Sequence, residues 1–169
     1  MLNNHAIALA REGHYEDAEQ HQLRAIDLKE RTYGPDHRST AVSYNALGEL
    51  YIKMNRPDDA ETFLQRALRI RERHGLPCVF DAAISRENLA QVHEMKGDLG
   101  RAKDMRLLGA PNTLVCGWEH CTKETLTEDQ LSQCSGCKAI FYCSDSCQRG
   151  DWRRHRNYCR RSEETTSVV

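Results

Sequence analysis

Through the first hundred positions, small and apolar residues recur at three- and four-residue intervals. LNNHAIALARE, AVSYNALGELYIKM and ISRENLAQVHEMK each have the pattern of a helix with one apolar face. A turn follows each, and then a second helix. AEQHQLRAIDLKERT carries Leu23, Ile26 and Leu28, and AETFLQRALRIRER carries Phe63, Leu64, Ala67, Leu68 and Ile70, with Arg and Glu on the other faces. The turns themselves repeat: GHYEDAE, NRPDDAE and GDLGRAK align at a constant offset of 42 residues, which keeps Ala18, Ala60 and Ala102 in step. Ala6, Gly48 and Ala90 fall in step on the first helix of each pair, so the two helices can approach closely. The pattern predicts antiparallel helix pairs stacked into an all-α solenoid over residues 1–108. There are about two and a half repeats, because the first starts in mid-pattern and GAPNT stops the third near Leu108. In the connector YGPDH, the Gly-Pro pair ends one helix, and Asp36 or Ser39 is expected to cap the next.

This period and connector resemble tetratricopeptide repeats of the kinesin-light-chain type. The resemblance implies a concave groove lined by the first helix of each pair. That face would carry Asn3, Asn4, Ile7 and Arg11, then Asn45, Glu49 and Lys53, then Glu87, Asn88, Gln91 and Glu94. Asn3, Asn4, Asn45 and Asn88 are the expected peptide contacts, since an amide offers both donor and acceptor to an extended backbone. Alternatively, these residues form no more than a solvated polar face.

After a linker at 109–115 the composition changes. Seven of the eight cysteines lie between Cys116 and Cys159, and only Cys78 lies outside, as an ordinary small apolar residue. The longest apolar run near the start, AIALA, is far shorter than the roughly 20 residues of a membrane span, and MLNNH lacks a basic leader. An intracellular, reducing compartment, cytoplasm or nucleus, is therefore expected, where thiolates remain free for metal. The ligands come as Cys116 with Cys121, Cys134 with Cys137, Cys143 with Cys147, and His155 with Cys159, enough for two structural zinc ions. Each pair closes a small chelate loop, and the i, i+4 spacing of His155 and Cys159 puts both on one helix face. Spacing alone leaves open which pairs share a metal. His120, beside Cys121, is an alternative ligand.

Six cysteines, then a histidine, then a cysteine, with FYC before the fifth and CQRGDWRRH before the histidine, resemble the MYND zinc finger. The resemblance covers residues 116–159. It implies interleaved sites, Cys116, Cys121, Cys143 and Cys147 on one zinc and Cys134, Cys137, His155 and Cys159 on the other. It also implies a peptide site at Ser135, Gln148 and Trp152 for proline-rich, PxLxP-like segments, with the strand KAIFY offering its edge. Closed four-ligand sites leave no position for a reacting water, and no catalytic motif appears, so no enzymatic activity is expected. The expected function is that of a protein–protein adaptor. The alternative is a nucleic-acid-associated regulator using QRGDWRRHRNYCRR, although part of that arginine excess balances negatively charged zinc–thiolate centres, and the whole chain has a net charge of −1. Residues 160–169, ending Ser167, Val168 and Val169, are expected to be a disordered tail.

Overall fold

The computed structural model describes residues 2–159, apart from the side chains of residues 2, 3 and 77. The tail at 160–169, with Arg160 and Arg161, lies outside the described residues. Six helices form three antiparallel pairs: α1 (Leu2–Glu12) with α2 (Tyr15–Tyr33), α3 (Arg38–Lys53) with α4 (Pro57–His74), and α5 (Val79–Met95) with α6 (Leu99–Leu107). α5 is entered through a single 3-10 turn, Leu76–Cys78.

The 42-residue period is visible in the backbone. Gly13, Asn55 and Gly97 close the turn inside each pair with φ of 87°, 57° and 80°, a conformation that glycine adopts freely and asparagine tolerates. Just after each, the N–H groups of His14, Arg56 and Asp98 donate back to the carbonyls of Leu9, Tyr51 and His93, all at 2.9 Å. Pro57 occupies the first turn of α4, where its missing N–H costs nothing. The cap of α3 differs from expectation. His37 stands at the N-cap, and its Nδ1 accepts from Ser39 N–H at 3.1 Å; neither Asp36 nor the Ser39 side chain takes that role.

Small residues mark where the helices meet. Ala6, Ala18, Ala60, Ala90 and Ala102 are all buried. A Cβ on Gly48 would stand 2.4 Å from Leu64 Cγ, inside van der Waals contact. Tyr44, Leu47, Leu64, Leu89 and Val92 fill the solenoid core around this contact.

The C-terminal module consists of an isolated bridge between Leu114 and Leu126, a two-stranded antiparallel sheet of β1 (Ser132–Gln133) and β2 (Phe141–Tyr142), and helix α7 (Asp145–His155). Ser144 Oγ caps α7 by accepting from Cys147 N–H. The segment at 109–115 is packed: Leu114 and Val115 are buried, and Arg86 Nη2 donates to Thr113 O at 3.3 Å. No helix among the described residues is long and apolar enough to cross a membrane.

Candidate metal centres and the junction with the solenoid

The four ligand pairs converge on two centres. Cys116, Cys121, Cys143 and Cys147 form one group and Cys134, Cys137, His155 and Cys159 the other, with all ligand atoms of a group within 4.8 Å of one another. His120 is exposed, pairs with Glu119 at 3.4 Å and lies outside both groups.

The donor geometry tests whether zinc fits. A tetrahedron with Zn–S bonds of about 2.3 Å has S···S edges of about 3.8 Å, and an S···N edge of about 3.5 Å. Cys121 and Cys143 are 3.7 Å apart, Cys143 and Cys147 3.5 Å, and Cys134 and Cys159 3.7 Å. Cys137 Sγ lies 3.4 Å from His155 Nε2. These separations far exceed a disulfide bond of about 2.05 Å, so the thiols are spaced for a metal between them. Gly136 leaves the necessary room, since a Cβ there would come within 2.9 Å of Cys159 Sγ.

Charge leads to the same conclusion. Burial pushes the Cys159 thiol up to about 12 and raises Cys137, with neighbouring thiolates adding to the effect. Burial also opposes ionisation of Cys134, but the backbone N–H groups of Cys137 and Gly136 hold its thiolate below the ordinary thiol value. Burial lowers His155, which keeps the imidazole neutral as a ligand must be. Several thiolates this close require a cation, and zinc supplies two positive charges. Each group offers four protein donors, so the two zinc ions are structural.

The core of this module is partly ligand. Besides the cysteines, its buried apolar residues are Leu114, Val115, Leu126, Ala139, Ile140, Phe141 and Tyr142. So small an apolar set cannot offset the entropy of folding, and metal binding supplies the difference.

The finger is locked to the third repeat by a buried ionic network. From α6, Arg106 donates through Nε and Nη2 to Glu87 at 2.7 and 2.8 Å, and through Nη2 to Glu94 at 2.7 Å. Its Nη1 crosses to the carbonyl of Ala139 in the finger at 2.8 Å. From α7, Arg154 reaches Glu94 Oε2 at 2.8 Å and clasps both oxygens of Asp151, which also accepts from the Tyr142 hydroxyl at 2.7 Å. Burial opposes the charge on both arginines, yet their carboxylate partners raise both above the ordinary guanidinium value.

Several sequence-based expectations change. Glu87 and Glu94 do not face an open groove; they hold Arg106 and Arg154. Asn45 and Asn88 are buried and do not present free amides. Asn45 Oδ1 accepts from Arg71 at 2.9 Å and Ser85 at 2.9 Å, and the Nδ2 groups of Asn45 and Asn88 both donate to Glu49 Oε1, at 2.8 and 2.9 Å. Asn4 is exposed, and the side chain of Asn3 lies outside the described residues. KAIFY does not offer an edge, because Phe141 O accepts from Gly117 N–H and Ile140 O from Cys134 N–H, both at 2.8 Å. The exposed outer strand is Ser132–Gln133. Ser135 is exposed in the CSGC turn; Gln148 is half-buried and Trp152 is 46% exposed one turn further along α7.

Comparison with known proteins follows this division. A family model described as tetratricopeptide repeat matches residues 1–73, and one described as MYND finger matches residues 116–159. The chain carries tetratricopeptide repeats followed by a MYND finger. Both are protein-interaction modules. The third helix pair, α5 and α6, lies beyond the matched repeat residues and in contact with the finger.

Similar curated proteins include the MYND-type zinc finger protein samB of Aspergillus clavatus, 27% identical over 104 residues, or 61% of this chain and 15% of that protein. N-lysine methyltransferase SMYD2-B of Xenopus laevis is 42% identical over 40 residues, 24% of this chain and 9% of its own length. Deformed epidermal autoregulatory factor 1 of Drosophila melanogaster is 42% identical over 48 residues, 28% of this chain and 8% of its own. The chain thus spans a small fraction of the length of these relatives.

Proposed function

We propose that this chain is a non-catalytic, intracellular adaptor in which the MYND finger docks a proline-rich, PxLxP-like segment and the repeat groove binds a second extended peptide. The observation that carries the finger site is Trp152. In a module with so little apolar material, a 46% exposed indole on α7 is a flat wall on which proline rings can stack, with Gln148 one turn away to bond backbone. Ser135 lies exposed in the neighbouring turn. The outer strand Ser132–Gln133, rather than KAIFY, offers the edge. Two sites of four protein donors each support a structural role for the metal and argue against catalysis at it.

The rival, a nucleic-acid-associated regulator, loses Arg154 to Glu94 and Asp151, although Arg149, Arg153 and Arg156 remain exposed. Salt-dependent binding to DNA or RNA would favour it.

The test is calorimetry of the zinc-loaded chain with a PxLxP peptide. Trp152→Ala removes an aromatic anchor of the kind whose truncation costs about 2 kcal/mol or more. Detectable binding should vanish while two zinc ions stay bound by native mass spectrometry. Unchanged affinity in the folded variant overturns this site.

A further inference from the structure

The concave face and the finger are one surface. Three clefts of about 520, 260 and 230 Å3 lie along it, and Glu49 lines all three. The smallest of these and the largest share Asn88, Gln91 and Glu119 as well, so α3 and α5 form one wall and the finger the other. The finger wall is fixed in place by Arg154 on Glu94 and Arg106 on Ala139 O.

Glu49 is built for a ligand. It is exposed, yet its Oε1 is held by two buried amides, Asn45 and Asn88, and Asn45 is held from behind by Arg71 and Ser85. The carboxylate is therefore ordered before anything binds, which removes part of the entropic cost of engaging it. Among the described residues no cation lies within ion-pair distance of it; the buried Arg71 acts on it electrostatically from behind Asn45, not from the cleft. Glu119, on the finger side, adds a second exposed carboxylate to two of the three clefts, and among the described residues its one ion-pair partner is His120 at 3.4 Å. Lys53 and Lys123 line parts of the same surface without pairing with either carboxylate.

We propose that groove and finger form one composite cleft for an extended protein segment carrying a lysine or arginine, with Glu49 as the anchor of that cation. This rests on the reading of the groove as a peptide site and adds both the chemistry of its occupant and its dependence on the finger. A charge-assisted bond from the ligand's cation to Oε2 completes a carboxylate whose other oxygen is already engaged.

The test uses the zinc-loaded full chain and a display library of random peptides. Enriched peptides should share a basic position. Glu49→Gln, which keeps an acceptor for the two amides, should weaken a synthetic representative by about tenfold, and replacing its basic residue by alanine should give the same loss, with no further loss when the two changes are combined. Trp152→Ala should leave these peptides bound, and Glu119→Gln, at an exposed position, should weaken them in the same direction. Enriched peptides without a basic position, or additive losses, overturn the proposal. Peptides lost on Trp152→Ala but indifferent to Glu49→Gln overturn it while leaving the finger site standing. A library with no enrichment overturns both.

Discussion

Glu94→Ala is the sharpest perturbation of this fold, because that one fully buried side chain joins the repeats to the finger. It accepts from Arg106 at 2.7 Å and from Arg154 at 2.8 Å. Breaking a buried pair by removing one partner costs about 3–5 kcal/mol. Both arginines keep a second carboxylate, Glu87 or Asp151, and the Arg154 side chain is 29% exposed, so the lower end applies, about 3 kcal/mol. For a chain of this size that lowers the melting temperature by about 10 °C. Thermal unfolding of the zinc-loaded protein by circular dichroism measures it, with Glu16→Ala, an exposed carboxylate far along the chain, as control. The pH dependence has a definite sign. Burial works against the Glu94 carboxylate, but Arg106 and Arg154 hold it below its ordinary 4.5. Its contribution is therefore present above that value and lost as pH falls through the lower, folded-state value, so wild type and variant should converge only in acid. A shift below about 2 °C at neutral pH, no more than a single kcal/mol would give, would refute the account of the junction.

Three further outcomes follow from particular contacts. Cys121→Ser should reduce the native mass by one zinc ion while His120→Ala keeps two, because Cys121 and not His120 stands among the first group of thiols; the reverse result would reassign the ligand. Gly48→Ala should destabilise by about 1–3 kcal/mol in a denaturant titration, since its Cβ would press to 2.4 Å of Leu64 Cγ, and a neutral result would mean that Leu64 moves freely. Asn45→Ala should cost about 1–3 kcal/mol of stability, because it removes an acceptor from the buried Arg71 and a donor from Glu49; unchanged stability would return Asn45 to the open groove.

The repeat period was legible because it depends on local chemistry. Small residues must recur where helices touch, and a turn with positive φ must recur where the chain reverses, so Gly13, Asn55 and Gly97 carry the same spacing in sequence and in space. The ligand pairs were legible for a similar reason, each being a short chelate loop. What could not be read from local patterns was the partner of each polar face. Asn45, Asn88, Glu87 and Glu94 fall at the right helical positions for a groove, but whether such a side chain meets water or protein depends on tertiary partners: Arg71 and Ser85 for Asn45, Glu49 for Asn88, Arg106 for Glu87, and Arg154 of the finger for Glu94. One signal was present. At the 42-residue offset, Arg106 stands where Leu64 and Gln22 stand, and Glu94 stands where Ile52 and Ala10 stand. A guanidinium and a carboxylate at positions that are apolar or buried in earlier repeats imply partners for each other, since neither charge is buried alone.

The same reasoning explains why a short third repeat is stable. α6 ends at Leu107, and the surface that a further helix would have covered is covered instead by the finger, through Arg106 to Ala139 O and Arg154 to Glu94. In α7, Arg154 and His155 are adjacent, and at 3.6 residues per turn adjacent side chains point about 100° apart, so one helix presents an arginine to the solenoid and an imidazole to the metal. The metal fixes the helix; the helix delivers the arginine; the arginine neutralises Glu94. Without the metal, α7 loses the anchor at its C-terminal end, and Glu94 keeps only Arg106, which is shared with Glu87. The consequence of zinc loss therefore extends beyond the finger into α5 and α6, whereas α1 to α4 are held by apolar packing around Tyr44, Leu47 and Leu64 and by polar bonds of their own, such as Tyr51 to Glu19 and Arg71 to Asn45.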